Sequence, residues 1–229
     1  MIEIVCATRL SSKAFTNTAP LGLSITRLAG DARLSAHVTY RNTRGLPEIY
    51  NARILDASGG DVLLFVHDDV WLDDPALADA VLEGLSTYDV VGVAGSRRSV
   101  PGHVSWAFVD DGFTWDAAEN LSGAVAHGSQ SHGVISRYGG APAECELLDG
   151  VLLAARRRTL ERHRVLFDTA FDFHFYDLDF CRTARRAGLR LATWPIAITH
   201  ASGGSFGSRP WKRSLARYRR KWDPAGPAL

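Results

Sequence analysis

Three short segments carry the residues best suited to chemistry. The first is Phe65-Val66-His67-Asp68-Asp69-Val70, with two adjacent carboxylates directly after the apolar run Val62-Leu63-Leu64-Phe65-Val66. Ionised groups at the end of a buried strand are costly unless something neutralises them. A hard divalent cation does this through oxygen ligands and can bridge to diphosphate oxygens. A solvated turn or helix cap is the competing reading, and the apolar run weighs against it. Asp73-Asp74 follows no such run and reads as capping. The second segment is Phe173-His174-Phe175-Tyr176-Asp177-Leu178-Asp179-Phe180-Cys181. On a helix Asp177 and Asp179 do not share a face, so their jobs differ. A carboxylate walled by aromatics has its pKa raised by desolvation, which suits a general base. Asp177 is read as that base, and Asp179 stays open between a site role and a cap. The third is Ile198-Thr199-His200-Ala201-Ser202-Gly203-Gly204-Ser205. A His opening a Gly/Ser loop can bind a metal or contact phosphate, although a lone His is more often structural.

These segments need elements to position them. Ile2–Ala7 reads as a buried strand, Ser11–Thr26 as a polar stretch marked by Pro and Gly, and Ser35–Tyr40 as a second strand. Leu46–Ala57 has helical spacing, and Asp61–Val66 is the clearest buried strand. Asp74-Pro75 supplies a helix start, Asp as cap and Pro at the first helical position. Val90–Ala94, Leu147–Ala155 and Leu189–Trp194 read as strands, Arg157–Arg162 as a turn or short helix, and Asp177–Ala187 as a helix ended by Gly188. Alternating strands and helices predict a parallel α/β sheet, whose ligands bind beyond the carboxyl ends of the strands. Residues 95–145 read as an irregular insertion that lines or covers the site, which the resemblance given below would set near the acceptor. Short strands are expected there at Val104–Val109 and Gly133–Ser136. Its Trp106, Phe108, Phe113 and Trp115 suit either sugar contact or local core, and His127 and His132 read as loop residues.

Composition narrows the classes. The 229 residues carry 26 Lys+Arg and 25 Asp+Glu, a net charge of +1, which excludes a uniformly basic nucleic-acid-binding domain. The balance is uneven: seven basic residues and no acids lie between Arg209 and Trp222. Without them the rest has 19 basic and 25 acidic residues, a net −6. The helical spacing of Arg213, Arg217 and Arg220 suits a solvated helix, a contact with an anionic acceptor, or peripheral docking on anionic lipid. Three widely spaced cysteines suit a reducing compartment. No signal peptide or membrane-spanning run is expected, so the expected location is cytoplasmic, with contact to the inner face of a membrane through residues 209–222 as an option.

Taken together, the chain resembles a family 2-type glycosyltransferase of GT-A fold, in particular its small "glycosyltransferase-like" group. The resemblance covers nearly the whole chain. It rests on Glu48-Ile49-Tyr50-Asn51-Ala52, Phe65-Val66-His67-Asp68-Asp69-Val70, Val93-Ala94-Gly95-Ser96, Leu148-Asp149-Gly150-Val151, Phe167-Asp168, Tyr176-Asp177-Leu178-Asp179-Phe180-Cys181 and Thr199-His200. It implies a single domain over residues 1–208, an α/β fold with a Rossmann-like, mostly parallel central sheet flanked by helices. A basic, partly helical segment, 209–229, follows. It also implies metal-dependent, inverting transfer of a sugar, of the hexosyltransferase kind, from a nucleoside-diphosphate sugar to a hydroxyl on a glycan, lipid-linked or other acceptor.

By the same resemblance Asp69 and His200 would hold Mn²⁺ or Mg²⁺, and Asp177 would be the catalytic base. Asp68, His67, Thr8, Arg9, Asn42 and Asn51 fall on the donor side, and Asp149, Gly150, Trp106 and Tyr176 near the acceptor or the transferred sugar. The departures are specific. His67 stands where the standard DxD motif begins with Asp, and Tyr176 replaces the Glu of the ED pair. Ala7-Thr8-Arg9 replaces Pro-Thr-Tyr-Asn, and Asn42 stands where a base-contacting Asp is common. Two other readings use the same residues: a non-catalytic nucleotide- or glycan-binding homologue, and a metal-dependent phosphoesterase.

Overall fold

The computed structural model describes residues 1–204 and 206–223. The chain opens with β1 (Ile2–Ala7), buried along its whole length. Two short helices follow, α1 (Ser12–Thr18) and α2 (Pro20–Leu28), in the stretch that reads as merely polar. Their starts have local causes: the Ser11 side chain accepts the Ala14 N–H, and Pro20 opens α2 where no N–H is needed. Next come β2 (Leu34–Thr39), α3 (Leu46–Ile54), β3 (Val62–Val66), β4 (Val70–Leu72), α4 (Leu77–Thr87), β5 (Val90–Gly92) and β6 (Ala94–Ser96). Asp74-Pro75 does not start α4. The Asp74 carboxylate closes a turn onto the Ala76 N–H at 2.8 Å, and the helix begins at Leu77. Asp73 is buried and accepts from Thr199 Oγ1 and Ser131 Oγ, both at 2.5 Å, so it ties loops together.

The expected insertion is ordered in its second half. It contains β7 (Leu121–His127), β8 (Val134–Gly139) and β9 (Ala143–Cys145), while no strand spans Val104–Val109. β7 is poor in β-branched residues and was invisible to pattern reading. It forms because β6, β8 and a later strand pair with it. Gly123 in β7 sits at φ +93°, where a Cβ would strike the Val93 carbonyl, so glycine lets the two chains close together. The chain then runs through β10 (Leu147–Leu148), β11 (Leu152–Arg156), α5 (Arg157–His163), α6 (Tyr176–Arg186), β12 (Leu191–Thr193), β13 (Ile198–His200) and α7 (Arg209–Trp222).

Two sheets result. The larger has the order β2-β1-β3-β11-β5-β12-β9 and the smaller β10-β6-β7-β13-β4, with β8 added on β7. In the larger sheet β2, β1 and β3 are parallel, as are β5 and β12, whereas β11 runs antiparallel to both neighbours and β9 antiparallel to β12. The α/β sheet flanked by helices is therefore present, but it is mixed, with three of six neighbouring pairs parallel. The expected strand Leu147–Ala155 is broken at Asp149-Gly150, and that break lies at the site. α7 packs Trp211, Leu215, Tyr218 and Trp222 into the core. The aromatics that a lipid interface would use thus face inward, and Arg209, Lys212, Arg213 and Arg220 face solvent. Residues 224–229 of the basic segment lie outside the described residues. Among the described residues, no helix is long and apolar enough to cross a membrane.

Candidate active site

The carboxyl end of β3, the start of α6 and the end of β13 meet at one cavity of about 460 Å³. That size suits a small-molecule site. β3 delivers His67, Asp68 and Asp69 to its rim because five apolar residues bury the strand and the polar residues emerge where it ends. β13 pairs with β4 through His200↔Val70, which sets His200 beside Asp69. One ligand atom from each of His67, Asp69 and His200 lies within 4.8 Å of the others. Two imidazoles and a carboxylate form a mixed N,O donor set, suited to a divalent first-row transition metal. His67 thus lies within the same candidate group of ligand atoms as Asp69 and His200.

The surrounding groups prepare these ligands. The Tyr176 hydroxyl donates to the Gly150 carbonyl at 2.9 Å. With its one proton used, it accepts from His67 Nε2 at 2.9 Å. His67 then carries its proton on Nε2 and keeps a lone pair on Nδ1, the arrangement that second-shell partners impose on metal-binding imidazoles. Burial holds His67 below the ordinary imidazole pKa and so favours the neutral ring. His200 Nε2 stands 3.3 Å from Asp69 Oδ1. Burial pushes the Asp69 pKa up, but the bond and charge of His200, with smaller contributions from Ser202 and His67, together outweigh it and hold the carboxyl down to about 2. The same pair raises His200 despite its burial.

Asp177 lies in the wall of the same cavity, at the first turn of α6. Its Oδ2 accepts the Gly150 N–H at 3.0 Å. Burial, reinforced by the charge of Asp149, pushes its pKa up to about 7. Asp149 is itself fixed: Oδ2 accepts from Trp106 Nε1 at 2.6 Å and Oδ1 from the Val151 N–H at 2.9 Å. Gly150 has to be glycine, since a Cβ would collide with the Tyr176 hydroxyl and come within 2.9 Å of the Asp177 Cβ. Asp179 points the other way, is fully buried, and accepts from Trp222 Nε1 and Lys221 Nζ, each at 2.7 Å. It anchors α7.

The other expected residues divide. Asp68 and Trp106 line the cavity, and the Thr8 hydroxyl donates to Asp68 Oδ2 at 2.6 Å. Arg9 is exposed after β1, and the Asn42 side chain closes a turn on Arg44. Neither lines the cavity. Asn51 also stands away from it, exchanging two bonds with the Phe167 backbone at 2.8 and 2.9 Å, which joins α3 to the loop before α6. His127, read from sequence as a loop residue, is on β7 and lines the cavity, with Nε2 3.2 Å from the Tyr138 hydroxyl. Tyr138 and Trp115 also line it. No sequence signal marks Tyr138, because its place depends on β8 pairing with β7.

No family model matches the chain. No curated protein matches it either. Solved structures do. The structure of GalNAc-T7 with UDP, GalNAc and Mn²⁺ aligns over 98% of this chain and 49% of its own, at 11% identity and TM-score 0.56. The mannosyltransferase PcManGT of Pyrobaculum calidifontis, in complex with GDP-Man and Mn²⁺, aligns over 100% of this chain and 65% of its own, at 15% identity and TM-score 0.51. The fold is that of the GT-A glycosyltransferases. The chain spans half to two thirds of the length of these two neighbours.

Proposed function

We propose that this protein is a metal-dependent glycosyltransferase that moves a sugar from a nucleoside diphosphate to a hydroxyl, with inversion at the anomeric carbon. One observation carries the reading: the His67–Asp69–His200 donor set and a carboxylate with pKa about 7, Asp177, share one cavity. The solved GT-A structures with UDP or GDP-Man and Mn²⁺ support the donor and metal classes. His67, Asp69 and His200 would hold the ion, which when bound supplies positive charge against the departing diphosphate.

The chain's own part is as follows. Asp68, braced by Thr8, faces the ribose or donor sugar. Asp177 takes the proton from the acceptor hydroxyl as its oxygen bonds to the anomeric carbon. The bond from that carbon to the diphosphate oxygen breaks, and its electron pair leaves with the diphosphate. A base with pKa near 7 is half ionised at neutral pH and still basic enough to accept the proton. Burial, reinforced by the charge of Asp149, which Trp106 and Val151 hold in place, keeps that pKa high.

The test is a thermal-shift panel of nucleoside diphosphates and nucleotide sugars with and without Mn²⁺, followed by turnover measured as free nucleoside diphosphate. Mn²⁺-dependent stabilisation by a sugar nucleotide is expected. No response to any of them, or phosphate release with no need for an acceptor, would overturn the reading.

A further inference from the structure

The same cavity carries an aromatic surface that the chemistry above leaves unused. Trp115 is its most exposed member: 53% of its surface is open, whereas neighbouring Trp106 is 8% exposed. The position is built. The indole stacks on Tyr138 with ring centroids 5.8 Å apart and planes 18° apart. It meets Phe108 edge to face at 5.0 Å and Trp106 at 6.4 Å. Its backbone is fixed by a bridge to Phe108 and by a tight turn, in which the Asp110 side chain accepts the Gly112 and Thr114 N–H groups at 2.9 and 3.1 Å.

An indole that is backed by a stacked ring and still half exposed has its remaining surface turned to solvent. Removing such a surface from water is favourable, so something apolar on one face is its natural partner. A pyranose ring has such a face, a patch of C–H groups, with hydroxyls around its edge. The polar groups that would receive those hydroxyls are at hand: Asp149 and Asp177 line the same cavity, as do His127 and Ser136. A lipid chain would use the aromatic surface but offer these polar groups no hydroxyl.

We propose that Trp115, backed by Tyr138, is the platform for the acceptor, and that the acceptor is a saccharide whose ring stacks on the indole with one hydroxyl turned toward Asp177. The inference rests on the glycosyltransferase reading, and its test separates the two.

The full-length chain is mixed with cellotriose, chitotriose, maltotriose or mannotriose, and binding is followed by tryptophan fluorescence and by saturation transfer to the ring C–H protons. At least one trisaccharide is expected to bind, with saturation strongest on the C–H groups of one ring face. Trp115→Ala should weaken that binding about tenfold or more, and Trp115→Phe should restore most of it. No binding of any trisaccharide to the wild type, or equal binding to Trp115→Ala, would overturn the platform. The Mn²⁺-dependent thermal shift with UDP or GDP is run on the same samples. It reports on the metal site alone, so loss of the nucleotide response with trisaccharide binding intact counts against the transferase reading and leaves the platform standing.

Discussion

Replacing Asp177 by Asn should stabilise this protein at alkaline pH while stopping transfer, and the size of the gain follows from the site. Burial and the charge of Asp149 raise the folded-state pKa to about 7, against about 4 for an aspartate in the unfolded chain. Below pH 4 the group is protonated in both states and costs nothing. Between about pH 4 and 7 the folded state keeps a proton that the unfolded state has lost. Wild-type stability therefore falls through this window by ~1.4 kcal/mol per pH unit, and by ~4 kcal/mol in all, before levelling above pH 7.

Asn carries no charge to desolvate, and its amide oxygen can still accept the Gly150 N–H that Asp177 Oδ2 accepts now. The gap between Asp177→Asn and wild type should be near zero at pH 4, grow to pH 7 and reach up to ~4 kcal/mol by pH 8. Urea unfolding of the metal-free protein at each pH measures it, since groups that do not sense the Asp177 charge titrate alike in both proteins. A gap that does not change with pH, or a variant that is less stable at pH 8, would refute the assignment of Asp177 as a half-buried, pKa-raised carboxylate.

Other outcomes follow from the same geometry. Transfer by the wild type should fall as pH drops through about 7, where Asp177 becomes protonated. In Asp149→Asn the acid limb of the pH–rate profile should move down by about one unit, because the like charge beside the base is gone. Tyr176→Phe removes the acceptor of the His67 Nε2 proton and frees that ring to turn. Mn²⁺ affinity read by isothermal titration should drop about tenfold, whereas Asp69→Ala should abolish the Mn²⁺-dependent thermal shift. Gly150→Ala forces Tyr176 and Asp177 aside and should lower turnover with donor binding largely kept. Wild-type turnover in that variant would mean the close approach is not needed.

Local pattern determined a good deal here. Apolar runs fix β1 and β3, because a buried strand with no polar face has nowhere else to go. The apolar stripe Trp211, Leu215, Tyr218 and Trp222 fixes the inner face of α7. The different directions of Asp177 and Asp179 follow from helix geometry alone: one reaches the cavity, the other Lys221 and Trp222.

What lay beyond sequence was whatever depends on partners distant along the chain. β7 is poor in strand-forming residues and exists because other strands flank it. β11, entering from the site end after Gly150, and β9 run antiparallel to their neighbours and make the larger sheet mixed. Asn51 matches a motif, yet its amide is held by a backbone segment more than a hundred residues away. His67 looked like a substitution within a carboxylate motif. Only the fold brings it beside His200 and sets its proton through Tyr176, because the state of an imidazole is decided by the groups that surround it in space.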